Sequence, residues 1–286
     1  MNKSAIKAGY HVSIAGGLAN AFTYAQELEC DVIQIFVSSP KIWQTPEISD
    51  AETTNFKEAR KKSNISSVLV HASYLPNPSS SRASLRNLSL KKLKDEVKIA
   101  YRLGADGYNF HCGSNQDSTE AGIENAINIL NRLAELTDKE WSVTLIIEND
   151  AGAGNKIGDT VEELGAIWKG IKNKHRFGFC LDTCHLFVSG IDLRTKGDIS
   201  QLLKKFDKLI GLEYLKFIHI NDAKFDLGSK RDRHENIGQG KIGREGIKNI
   251  LTNPIIRKLP LILETPRTGD IKLDIQDIEL LRLLTQ

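Results

Sequence analysis

Eight short apolar runs recur along this chain, and most are separated by amphipathic stretches. The runs fall near Ala8–Ile14, Val32–Val37, Ser67–His71, Gly107–His111, Val143–Glu148, Phe177–Asp182, Leu215–Ile220 and Leu261–Glu264. Most are continuously apolar, as strands buried on both faces of a parallel sheet must be. Helical patterns follow the later runs at Leu85–Leu103, Ala121–Leu136, Thr160–Ile171, Ile199–Ile210 and Gly246–Ile256, and Ile275–Leu284 closes the chain. In the first of these, Leu90, Leu93, Val97 and Ala100 form an apolar stripe, which puts the lysines on the outer face. Ser118 and Asp159-Thr160 read as helix starts. Strand and helix in alternation predict an α/β protein, a single (β/α)₈ TIM barrel spanning residues 1–286. Pro76–Ser81 reads as a loop, and no linker divides the chain.

The chemistry sits where the runs stop. His71, His111 and His219 end three of them, and Glu148, Asp182 and Glu264 end three more. Successive members lie 40, 37, 34, 37 and 45 residues apart, about one strand–helix unit each. Six neighbouring strands therefore each deliver one ligand-type side chain to the C-terminal rim, where barrel enzymes place their chemistry. One histidine after a strand is more often a hydrogen-bonded core residue; six such groups in register call for metal. His71, His111 and Glu148 are expected to share one ion, and Asp182, His219 and Glu264 a second, with Glu148 as the bridge. Asp232 and His234 stand two apart in an extended loop and can pinch a third ion, completed by His185. Mixed imidazole and carboxylate ligation favours Zn²⁺, with Mn²⁺ as a substitute at one position. Such a set, with a metal-bound hydroxide poised beside Glu148, suits phosphodiester hydrolysis. His11, late in the first strand, is expected to hydrogen-bond in the pocket, and His175 to lie on the opposite rim.

Net charge is only +3, too little to announce nucleic acid, but ions at the mouth would add to it. The four cysteines show no CxxC spacing and read as buried reduced thiols. The amino-terminal residues lack a signal-peptide core, and no run reaches the ~18 apolar residues of a membrane helix. A cytoplasmic protein of bacterial or archaeal type, working at the nucleoid, is expected.

Longer motifs carry a resemblance. The stretches Ile147-Glu148-Asn149-Asp150-Ala151-Gly152, Leu181-Asp182-Thr183-Cys184-His185 and His219-Ile220-Asn221-Asp222 stand in order, followed by Asp232-Arg233-His234 and Leu263-Glu264-Thr265-Pro266. In these the chain resembles endonuclease IV, the metal-dependent apurinic/apyrimidinic endonuclease family, from His11 to Pro266. The resemblance implies three zinc ions per chain on the nine ligands named above. It also implies a monomer acting on double-stranded DNA, cutting 5′ to an abasic site to leave a 3′-hydroxyl, with 3′-diesterase trimming of blocked ends, in base-excision repair. Where relatives often carry an arginine that enters the base stack, this chain has Lys41.

An abasic sugar must leave the duplex to reach metal, and Tyr74 and Leu75, just beyond His71, are placed to act as the wedge. Lys230, Arg231 and Arg233 lie on the loop that bears Asp232 and His234, and are expected to meet phosphate. The rival reading is a single-metal TIM-barrel sugar isomerase or epimerase built on Glu148, Asp182, His219 and Glu264. It leaves His71, His111, Asp232 and His234 without work.

Overall fold

The computed structural model describes residues 6–137 and 141–285; residues 1–5, part of the stretch read for a signal peptide, lie outside them. Eight parallel strands close into a barrel: β1 (Lys7–His11), β2 (Val32–Phe36), β3 (Ser67–His71), β4 (Gly107–His111), β5 (Thr144–Glu148), β6 (Phe177–Asp182), β7 (Leu215–His219) and β8 (Pro260–Leu263). Each pairs with its sequence neighbours, and β1 with β8 completes the circle. Register sets the rim: His111 lies opposite Glu148, and Asp182 opposite His219.

The first strand ends at His11, three residues earlier than its apolar run suggests. Val12 still donates to the Gln34 carbonyl, and then Gly16 and Gly17, both at positive φ, turn the chain away. The last strand stops at Leu263, so Glu264 sits just past it.

Helices cover the outside. Those expected after β3 to β7 are α3 (Ala83–Leu103), α4 (Thr119–Thr137), α5 (Val161–Gly170), α7 (Lys196–Leu209) and α8 (Gly243–Leu251), and α10 (Gln276–Leu284) follows a single turn, α9 (Ile271–Asp274). Besides α9, three were not anticipated: α1 (Asn20–Glu27), α2 (Asp50–Lys62) and α6 (Thr183–Ser189). The second buries only Thr53 and Phe56, so apolar periodicity does not announce it. Its start is a capping box between Ser49 and Glu52. Both anticipated starts hold: Ser118 accepts from the Ala121 amide at 3.1 Å and Thr160 from Glu163 at 3.2 Å.

One expectation about α3 fails. Lys92 points inward and is 2% exposed, because it pairs with Glu96 one turn on, at 3.2 Å. An internal partner offsets the desolvation that would otherwise keep a lysine outside.

Most of the core lies between sheet and helices, and Val32, Leu69, Ile146, Cys180, Phe217 and Ile262 form a second cluster within the barrel. At Gly107 a Cβ would come within 2.5 Å of Ile146, so glycine there lets that packing close. Among the described residues no helix is long and apolar enough to cross a membrane.

Candidate metal centre

The nine side chains picked out by spacing converge at the carboxyl ends of the strands. Three sets bring potential ligand atoms together: His71, His111 and Glu148; Glu148, Asp182, His219 and Glu264; and His185, Asp232 and His234. The first two share Glu148. Its Oε2 faces His71 Nε2 at 3.3 Å and His111 Nε2 at 3.7 Å, while its Oε1 faces His219 Nδ1 at 2.9 Å and His185 Nδ1 at 3.5 Å. Asp182 links the second set to the third, with Oδ2 at 3.7 Å from both His219 Nδ1 and His234 Nε2. The third closes through Asp232 Oδ1, at 3.3 Å from His185 Nε2 and 3.6 Å from His234 Nε2. Two ligand atoms each ~2.0–2.1 Å from a tetrahedral ion stand roughly 3.3 Å apart, so these gaps are the right scale for shared cations.

The outer hydrogen bonds test the fit independently. His71 Nδ1 meets the Ala72 carbonyl at 2.7 Å, His185 Nδ1 the Asn149 carbonyl at 3.1 Å, and His234 Nδ1 the Glu264 carbonyl at 3.0 Å. A carbonyl only accepts, so each ring must donate from Nδ1 and turn Nε2 toward the carboxylates. His219 is reversed: Nε2 donates to Gln34 Oε1 at 3.2 Å, leaving Nδ1 for the cluster. His234 Nε2 is buried without a hydrogen-bond partner, which is costly unless something else fills that place. A divalent cation held by the third set would fill it.

Buried amides hold the carboxylates. Asn221 donates to Asp182 Oδ2 at 2.6 Å and accepts from the Glu264 amide at 2.8 Å, and Asn109 donates to Glu148 Oε2. Gln34 donates to Glu264 Oε1 at 3.0 Å, beside His11 Nδ1 at 2.9 Å, so His11 lines the pocket as expected. Gln34 and Asn109 were overlooked. Their signal was a lone amide inside an apolar strand, which must find partners when buried.

Burial opposes charge throughout the site; it prevails at His11 and His111, while at Glu148 and His219 the charged neighbours outweigh it. His219 and His111 hold the Glu148 carboxyl well below the usual carboxylate range. The Glu148 and Glu264 carboxylates hold the His219 ring well above the usual imidazole value. Cys180 and Cys184 also come within reach of the cluster. Burial pushes the Cys180 thiol up to about 12, and the Cys184 thiol points to the Arg233 carbonyl at 3.6 Å.

Beside the centre lies a cavity of about 390 Å³, with His71, His111, His185 and Asp232 along one wall. Tyr74, Leu75, Asn77, Phe110, Ser114 and Lys156 line the rest. The Tyr74 side chain stands 66% exposed over the mouth, with its ring edge-on to Phe36, and Leu75 is half-buried beside it. Lys41, Lys230, Arg231 and Arg233 are exposed. Arg231 stacks over the Phe225 ring at 3.5 Å, and Lys230 Nζ stands 3.9 Å from Asp159. The loop carrying the third set is less loose than its composition suggests. A short antiparallel pairing of Asp222–Ala223 with His234–Glu235 folds it back, and His175 lies in a turn ahead of β6, away from this rim.

A (β/α)₈ barrel with three linked clusters of imidazoles and carboxylates at its C-terminal mouth is the architecture of a metal-dependent TIM-barrel enzyme. A family model described as a xylose isomerase-like TIM barrel matches residues 22–284. A protein of Halothermothrix orenii named probable endonuclease 4 is 40% identical over 278 residues, 97% of this chain and 99% of that one. The crystal structure of endonuclease IV from Thermus thermophilus superposes with a TM-score of 0.84 at 34% identity, covering 97% of this chain and 98% of that one. This chain belongs to the endonuclease IV family, and with it to the hydrolytic nucleases. A D-tagatose 3-epimerase-like protein also superposes, with a TM-score of 0.74 over 98% of each chain. At 20% identity that likeness is one of fold, and the epimerase reading falls away.

Proposed function

We propose that this chain is an abasic-site endonuclease that hydrolyses the DNA phosphodiester 5′ to the lesion, leaves a 3′-hydroxyl, and trims blocked 3′ ends. The observation that carries the reading is the linkage of three ligand sets through Glu148 and Asp182, beside a cavity overhung by Tyr74. A single-metal isomerase has no use for His71, His111, Asp232 and His234 at these distances.

Three Zn²⁺ ions would be held by His71, His111 and Glu148, by Glu148, Asp182, His219 and Glu264, and by His185, Asp232 and His234, with Mn²⁺ able to replace one. Bound there, they would supply the Lewis acidity that activates water at neutral pH and neutralises the leaving oxygen. The protein's own part is position and charge. Glu148 turns one oxygen to each of the first two sets and so fixes their separation, while Gln34, Asn109 and Asn221 keep the ligands from rotating. Tyr74 and Leu75 would fill the gap left by the extruded sugar, and Lys41, Lys230, Arg231 and Arg233 would face backbone phosphates. Such contacts read shape and charge rather than sequence. The protein would act as a monomer and as one domain.

Incubating the protein with a duplex carrying one abasic analogue, with and without chelator, tests this directly. Cleavage on the 5′ side that chelator abolishes and Zn²⁺ restores is the expected result. An intact duplex under metal-replete conditions would refute the reading.

A further inference from the structure

Two rim loops carry the side chains proposed to meet the lesion: residues 38–44, with Lys41, and residues 72–77, with Tyr74 and Leu75. Both end on the same buried ion pair of α3. Glu96 is fully buried; its Oε1 accepts from Ser38 Oγ, and its Oε2 accepts from the Ser73 amide at 3.2 Å and from the Tyr108 hydroxyl at 2.7 Å. Lys92, its partner at 3.2 Å, donates to Ser38 Oγ at 3.0 Å and to the Gln44 carbonyl at 3.3 Å. Above the pair, the Tyr74 amide donates to the Pro40 carbonyl at 3.0 Å and joins the loops to each other.

We propose that Lys92 and Glu96 are positioning residues that hold these two loops in one rigid arrangement for the duplex; the proposal rests on the abasic-site reading above. An ion pair this deep is weak evidence for stability, since a well-packed apolar pair of similar size is often no worse. What the charges add here is reach. One carboxylate and one ammonium together satisfy the Ser38 hydroxyl and the Gln44 carbonyl of one loop, the Ser73 amide of the other, and the Tyr108 hydroxyl of β4. Neither group points into the metal centre. A loop ordered in advance loses less entropy when the duplex binds, so the pair should act on affinity rather than on the chemical step.

The test compares Lys92→Met/Glu96→Leu, which removes both charges together, with Lys92→Met/Glu96→Gln, which restores an acceptor for Ser73 and Tyr108. Ser38→Ala, which strands no charge, serves if the first fails to fold. Three quantities are read: amide hydrogen exchange at residues 38–44 and 72–76, metal content, and KM against kcat on an abasic duplex. With Leu at 96, faster exchange confined to the two loops, full metal content, a KM raised about tenfold and a kcat within about twofold are expected. The Gln variant should recover most of the KM, and Ser38→Ala should raise it by a smaller factor with faster exchange at 38–44. Unchanged loop exchange, or faster exchange with unchanged KM, would overturn the proposal. Failure of the wild-type protein to cut the abasic duplex would instead sink the functional reading, leaving the exchange result to stand alone.

Discussion

Glu148 touches both halves of the centre, with its two oxygens facing histidines from four different elements. Changing it to Gln keeps the shape but removes the negative charge and one acceptor. Incision should fall by about a thousandfold or more, about 4 kcal/mol in barrier terms, while the unfolding transition survives. Near-normal turnover by the variant would remove the bridging role. Gln34 offers a subtler case, because its carbonyl fixes which nitrogen of His219 faces the cluster. Gln34→Leu should weaken metal retention or activity by about 10–100-fold, read by titration against a competing chelator. The contrast shows what sequence reveals at this scale. His71, His111 and Glu148 announce themselves locally, as ligand types where apolar runs stop. Gln34 is recognisable only through partners 23, 185 and 230 positions away, and Lys92 only through a buried carboxylate that helical periodicity puts on the same face.

The loop after β7 shows how an element can be built to present ligands. Asp222 accepts from the backbone amides of Ala223, Gly238, Gly240, Ile242 and Gly243, closing the loop around one carboxylate. At Gly240 a Cβ would lie 2.4 Å from the Ala223 carbonyl oxygen, so only glycine lets the strand approach. Asp222→Ala should therefore strand several amides at once and lower stability by about 3 kcal/mol in thermal or denaturant unfolding. Because Asp232 and His234 ride on that loop, the variant should also lose one ion before the others, which metal analysis would reveal. Full metal content with unchanged stability would exclude the clasp. Tyr74 belongs to another loop, the one that follows β3. Tyr74→Ala should weaken binding to an abasic duplex about tenfold, the scale of one lost aromatic–base contact, and leave metal content alone. Both loops were legible as carriers of function, since glycine, charge and aromatic residues cluster in them. Their internal bonding was hidden, because an Asp that caps five amides reads like any other acid.

For the molecule as a whole, the barrel was legible because its order is a repeat. Each run of apolar residues recurs at about one strand–helix unit, and the closure of β1 on β8 follows from eight such units. What escaped was polar or short: α2, which buries only two residues, α1, of eight residues, and α6, of seven, which starts on Asp182 itself. The same closure explains the site, because only a ring brings residues as distant in sequence as His71 and Glu264 to one mouth. The central claim is that this mouth holds three ions rather than one. The number of metal ions per chain in the purified, metal-replete protein, taken by elemental analysis alongside protein concentration, tests it most directly. A value close to three, falling together with incision as chelator removes them, is the predicted result; a value close to one at full activity would contradict it.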